Sequence, residues 1–196
     1  VGGGEIDIQT LVADKEGGVW VGTKRGLLKF SNGSFEDILV GEEQVGRGVN
    51  TILVGEDGLW VGTEGKGLLH QKNNEWKTYS SSSPLASDRI QHLHQDRQGA
   101  IWISTFQEGL VRYYGSEFTP ITVDDGLNTN RIECAYEDQE GSLWVGTGSG
   151  GLNRLRDGRF TTLTRKDGLV DEMVWGVFQS RSRGMWIGTE LGVTHL

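Results

Sequence analysis

The chain has 196 residues, with 19 Lys and Arg against 27 Asp and Glu and a formal charge of −8. An acidic chain without a basic stripe excludes a nucleic-acid backbone or an anionic membrane surface as its main partner. The single cysteine, Cys134, excludes an intrachain disulfide, and no run of about 18 apolar residues marks a membrane span.

The opening Val1-Gly2-Gly3-Gly4 lacks the basic and apolar regions of a signal peptide, so no targeting signal is legible. A chain that opens on Val inside a repeat is expected to be part of something longer. From Ile8 onward the sequence repeats. Trp20-Val21-Gly22-Thr23 returns as Trp60-Val61-Gly62-Thr63, Trp102-Ile103-Ser104-Thr105, Trp144-Val145-Gly146-Thr147 and Trp186-Ile187-Gly188-Thr189, spaced by 40 residues and then by 42 each time. A period in this range, in β-rich units, signals a propeller, solenoid or array.

The third unit shows its elements most clearly. Ile90-Gln91-His92-Leu93-His94-Gln95 predicts a strand, Asp96-Arg97-Gln98-Gly99 a turn, and Ile101-Trp102-Ile103-Ser104-Thr105 a second strand. Gly109-Leu110-Val111-Arg112-Tyr113 predicts a third. Phe118-Thr119-Pro120-Ile121-Thr122 predicts a fourth, at an edge because Pro120 has no N–H to give a ladder. Four short antiparallel strands in about 42 residues make a propeller blade. The chain is therefore expected to be all-β, a β-propeller with blades at about 1–40, 41–82, 83–124, 125–166 and 167–196, the last incomplete. Each repeat Trp is expected to pack between blades, with the Gly two places on making room. Trp76, like Phe35, Phe118 and Phe160, belongs to a fourth strand and to the fold.

Several constellations bear on chemistry. Asp14, Asp96 and Asp138 begin Asp-x-x-Gly-x-x-Trp turns and are expected to bond their own turns, not a metal. His92 and His94 share a strand face but lack the further ligands of a closed metal site. The Gly-rich run from Gly146 to Gly151 joins two strands and has no helix N-terminus for a phosphate. No metal, cofactor or catalytic set is expected. Variation concentrates in the connections into each first strand and between second and third strands, which emerge on one face. Leu85, Leu127 and Leu169 recur there as expected buried anchors. A constant frame carrying variable polar loops points to a binding face formed by Asp88, Arg89, Phe106, Asn130 and Arg131. Its arginines suit a carboxylate or acidic sugar.

The run hydrophobic-x-x-Ile-x-x-Asp-x-x-Gly-x-Leu-Trp-Val/Ile-Gly-Thr-x-x-Gly-Leu-x-Arg, carried almost completely from Ile132 to Arg154, resembles the two-component regulator propeller repeat. All five units carry part of it, with Ser104 in place of Gly and shortened first turns in units two and five. The resemblance implies the extracytoplasmic sensor region of a bacterial two-component system, periplasmic and anchored through segments outside this chain. It implies a propeller that usually has seven blades, a carbohydrate or other small polar ligand, and signalling to a kinase elsewhere. Catalysis is not expected. Two alternatives are a streptogramin-lyase-like propeller enzyme, which shares the Asp-x-x-Gly-x-x-Trp turn, and a protein–protein interaction platform. Five blades are expected to form an open arc of a larger ring, with further blades or a second copy of the chain as partner and self-association when expressed alone.

Overall fold

A computed structural model describes residues 7–40, 43–45 and 48–196. The chain is an all-β propeller of antiparallel blades, and among the described residues it has no α-helix. It divides into two compact units, residues 1–91 and 92–196.

Unit one holds two four-stranded sheets. The first runs Ile8–Ala13, Val19–Thr23, Gly26–Ser31 and Ser34–Asp37; the second runs Val49–Gly55, Gly58–Thr63, Leu68–Lys72 and Glu75–Tyr79. A separate pairing of Leu39–Val40 with Glu43–Gln44 lies between them and has no counterpart in the repeat pattern. The short turn expected in the second blade is a two-residue hairpin, Glu56-Asp57, flanked by the pair Gly55 and Gly58. The core joins Trp20, Leu27, Val49, Ile52 and Leu69, with Trp76 packed against it as the sequence implied.

In unit two the third sheet runs Ile90–Gln95, Ile101–Thr105, Leu110–Tyr114 and Glu117–Ile121, its first strand beginning two residues before the division. Pro120 lies on the outermost strand, as expected. The fourth sheet runs Ile132–Glu137, Leu143–Thr147, Leu152–Arg156 and Arg159–Leu163; the fifth has three strands, Val174–Gln179, Met185–Thr189 and Gly192–His195. Two cores lie between these sheets, one around Trp102, Ile132 and Val145, the other around Trp144, Val174 and Ile187.

Each letter of the repeated tetrapeptide has a separate physical job. The Trp is buried in blades one to four, and a cation or imidazole from the paired position on the third strand lies on its ring. Lys29 covers Trp20, His70 stacks on Trp60 at 3.6 Å between centroids, Arg112 covers Trp102 and Arg154 covers Trp144. The Gly is a notch. A Cβ on Gly62 would lie 2.5 Å from Thr51 Cγ2 and 2.6 Å from Ile90 Cγ2, and one on Gly146 would lie 2.6 Å from Cys134 Sγ and 2.7 Å from Val174 Cγ1. The notch thus receives the first β-branched residue of the following blade. The Thr hydroxyl closes the next loop by donating to the carbonyl of Gly26, Gly67, Gly109, Gly151 or Gly192, at 2.7 to 3.0 Å. Those glycines all have positive φ, from 76° to 154°, where a side chain is strained.

The connections between blades are built as firmly. Leu85, Leu127 and Leu169 are buried, as their recurrence implied. Thr122 and Thr164 begin short 3-10 turns, Val123–Asp125 and Arg165–Asp167, in which Asp125 and Asp167 complete capping boxes and Gly126 and Gly168 end the turn.

Candidate functional site

The second and third strands of each blade and the connection into each first strand are stapled together by backbone. The N–H of Gly67 donates to Asp88 O, that of Gly109 to Asn130 O and that of Gly151 to Glu172 O, at 2.8 to 2.9 Å. The loops of the expected binding face therefore form one fixed surface within each blade junction.

In unit one, Asp88 is a turn staple. Its carboxylate accepts from Ser81 N at 2.8 Å and from Ser81 Oγ at 2.6 Å. Those bonds, the hydroxyl first, hold its pKa below the ordinary carboxylate value. Arg89 donates through Nη2 to Glu64 Oε1 at 2.6 Å, and Asn50 Nδ2 donates to Glu64 Oε2 and to Ile90 O, both at 3.0 Å. Beside this network a cavity of about 360 Å³ has Val40, Val45 and Leu69 as apolar walls and Lys66, Ser80 and Asp88 among its polar lining. A larger cavity of about 390 Å³ lies on the opposite, turn side of unit one, near Asp14, Trp20, Lys29 and Asn74. Size does not make it the better site: it is the wide gap left over the short turn of blade two, and its charged wall is already closed by the Asp14–Lys29 pair at 2.7 Å.

In unit two the site is more sharply built. Arg131 Nε donates to Glu133 Oε1 at 2.8 Å, and the guanidinium carbon lies 5.1 Å from the centre of the Phe106 ring. The Glu133 carboxylate is buried, 4% exposed, whereas the Arg131 side chain is 36% exposed. No terminal nitrogen of Arg131 has a partner among the described residues. A Cβ on Gly148 would stand 2.4 Å from Arg131 Nε, and one on Gly150 would stand 2.5 Å from Asn128 Nδ2. The loop is glycine-rich because Arg131 and Asn128 lie across it. Asn128 donates to Gly150 O and accepts from the buried Asn153 at 2.8 Å. Asn130, by contrast, is used internally: its Oδ1 accepts from Val123 N at 3.0 Å.

Of the five expected site residues, Asp88 in unit one and Asn130 in unit two hold their own loops, Arg89 is paired with Glu64 in unit one, and Phe106 and Arg131 lie together in unit two. Arg131 is also more than an exposed charge. Its removal strips an ion pair from a buried carboxylate, which raises the expected stability loss above the roughly 1 kcal/mol of a surface residue to about 2–3 kcal/mol.

Sequence reasoning passed over one column. The second residue of the first strand in sheets one, two, four and five is Gln9, Asn50, Glu133 or Trp175, and at these four the ladder slips between the flanking residues: Ile8 and Thr10, Val49 and Thr51, Ile132 and Cys134, Val174 and Gly176. A repeated β-bulge re-aims these side chains at the loop face. The available signal was a polar residue one place inside a hydrophobic strand at Gln9, Asn50 and Glu133.

The residues set aside as structural behave so. Asp96 Oδ1 accepts from Gln98 and Ala100 N–H groups, and its Oδ2 from Trp102 Nε1 at 2.8 Å. Asp138 repeats this on Glu140, Ser142 and Trp144. His92 Nδ1 and His94 Nε2 accept from Ala135 N and Glu137 N of the neighbouring blade. Burial lowers both histidine pKa values, that of His92 to about 4. Burial likewise pushes the Cys134 thiol up to about 12, leaving it an inert packing group. Among the described residues no group of three or more His, Cys, Asp or Glu could hold a metal ion.

Residues 84–107 and 126–149 match the two component regulator propeller family model. No curated protein matches the chain. Among solved structures, the extracellular domain of a hybrid two component system from B. thetaiotaomicron superposes with a TM-score of 0.83 at 21% identity, over 97% of this chain and 28% of that one. A catalytically inactive virginiamycin B lyase from Staphylococcus aureus, solved with quinupristin, gives 0.75 at 11% identity over 100% and 71%. PorZ, a surface component of the type-IX secretion system of Porphyromonas gingivalis, gives 0.68 at 16% over 99% and 33%. These likenesses establish the propeller fold, and the chain spans less than a third of the length of the two component system domain.

Proposed function

We propose that the chain is a ligand-sensing propeller segment of a bacterial two-component sensor, acting outside the cytoplasm and recognising a glycan or other small polar ligand without catalysis. The observation that carries this reading is the Arg131 fork. Glu133 and Phe106 fix its position, and its side chain is 36% exposed on the loop face. A preorganised guanidinium of this kind suits carboxylate, sulfate or vicinal hydroxyl oxygens, because little side-chain entropy remains to be lost on binding. The two matching repeat segments, 84–107 and 126–149, contain Arg89 and Phe106 in the first and Arg131 in the second. A non-catalytic role is supported by the fate of the reactive side chains, since His92, His94 and Cys134 are all committed to packing or backbone bonds. Among the described residues no helix is long and apolar enough to cross a membrane, so anchoring would rest on segments outside them.

The test is a panel of neutral, uronic-acid and sulfated oligosaccharides screened by thermal shift, with product analysis of each positive mixture. A ligand that raises the melting temperature of the parent protein but not of Arg131→Lys, and is recovered intact, supports the reading. Recovery of a cleaved or rearranged product would establish the lyase-like alternative. A response to proteins alone would establish the interaction platform.

A further inference from the structure

One buried amide interrupts an apolar column. Opposite Val21, Val61 and Ile103 the third strand carries Leu28, Leu69 and Val111, all buried. Opposite Val145 it carries Asn153, which is 0% exposed. A buried amide is costly unless its polar groups are bonded. Here Oδ1 accepts from Thr162 Oγ1 at 3.0 Å, and Nδ2 donates to Asn128 Oδ1 at 2.8 Å. Asn128 Nδ2 donates onward to Gly150 O. A relay of side chains therefore runs from the outermost strand of the fourth sheet to the loop Gly148-Ser149-Gly150. Thr194, the polar member of the column in the fifth sheet, likewise pins a connection, accepting from Val170 N at 3.0 Å. An amide where leucine or valine packs in other blades marks a position kept for what it holds.

The loop it holds has one set of donors left over. Gly148 N–H donates to Arg131 O at 3.1 Å, Gly150 N–H to Thr147 Oγ1 at 2.9 Å, and Gly151 N–H to Glu172 O at 2.8 Å. Among the described residues neither the N–H nor the hydroxyl of Ser149 has a partner, and Ser149 is exposed. The neighbouring Gly148 is buried under the Arg131 side chain, close enough that a Cβ would meet its Nε, Cδ and Cγ. Arg131 spends Nε on Glu133 and keeps its terminal nitrogens unbonded among the described residues. Two donor sets thus stand on adjacent parts of one loop, each fixed from behind.

We propose that Ser149 completes the Arg131 site, its N–H and hydroxyl joining the guanidinium to bind one oxyanion, the carboxylate or sulfate ester of an acidic sugar. The inference rests on the reading of the Arg131 face as the ligand site and narrows that ligand to an anion. Donors gathered without an acceptor among them suit an oxyanion better than a neutral hydroxyl, which must also donate. Asn153 and Asn128 are positioning residues. They hold Gly150 so that Ser149 stays beside Arg131 when no ligand is bound.

The test is a nuclear magnetic resonance titration of the whole 196-residue protein with glucuronate, glucose 6-sulfate and glucose, following the Ser149 N–H and Arg131 Nε–H signals. Glucuronate or the sulfate should move both signals along one saturation curve, the tighter of the two naming the preferred group, and glucose should move neither. Ser149→Ala, at an exposed position, should weaken the responding acid about tenfold. Asn153→Leu installs the residue of the first two sheets, so it should keep the thermal midpoint while weakening the same acid several-fold. Movement of Arg131 with Ser149 still would overturn the inference and leave the Arg131 reading standing. An equal response to glucose, no response to either acid, or full affinity in Ser149→Ala or Asn153→Leu would also overturn it, while neutral oligosaccharides would still test Arg131 itself.

Discussion

Acid should weaken this fold through His92. Its Nδ1 accepts the Ala135 N–H at 3.4 Å, which only a neutral ring can do, and burial followed by the charge of His94 lowers its pKa from 6.5 to about 4. Between those values the unfolded chain binds a proton that the folded chain refuses. The contribution is therefore complete above about pH 6.5 and is lost as pH falls toward about 4. The full shift is worth about 3 kcal/mol, and because the ring is only partly buried we expect about 2 kcal/mol. His92→Gln keeps an acceptor for Ala135 N–H and does not titrate. Urea unfolding of both proteins from about pH 7 to about pH 4 isolates the His92 contribution, since carboxylates such as Asp14 and Asp88, whose pKa values are lowered, are common to both. The parent should lose about 2 kcal/mol relative to the variant. Parallel curves would refute the assigned hydrogen bond.

Three further outcomes follow from the frame. Trp102→Ala should cost about 3–5 kcal/mol by calorimetry, as a buried aromatic truncation that also removes one of the two rings, Trp102 and Tyr114, on which Arg112 lies. Asp138→Ala should cost about 3 kcal/mol or more in chemical denaturation, because it leaves the Glu140 and Ser142 N–H groups and Trp144 Nε1 without their acceptor. Gly146→Ala should lower the thermal midpoint through collision with Cys134 and Val174, a loss that Gly188→Ala should not show, because a Cβ there would meet only Gly176 O, at 3.8 Å.

The repeat made the architecture legible because each of its residues answers to a local rule. Trp, Gly and Thr recur at fixed spacing, and alternation fixes which of them share a face. The structure adds why the Thr is there, a loop staple no spacing argument reveals, and why the paired third-strand position is Lys, His or Arg. The Leu39–Val40 pairing was not legible, since it occurs once and carries no repeated signal. The candidate face was legible only as a location. Asp88 and Asn130 read as ligand groups because exposed polar residues look alike in sequence, whether they meet a ligand or their own turn. Glu133 was missed because a bulge, not strand alternation, decides where it points.

The central claim is that the loop face holds the ligand. The most direct measurement is a titration of a responding glycan followed by the Arg131 Nε–H nuclear magnetic resonance signal, with the Trp102 and Trp144 indole N–H signals as reporters of the turn side, where Asp96 and Asp138 hold them. The account predicts saturable movement at Arg131 with both indole signals still. Saturable movement of the indole signals with Arg131 unchanged would place the ligand at the opposite face and contradict it.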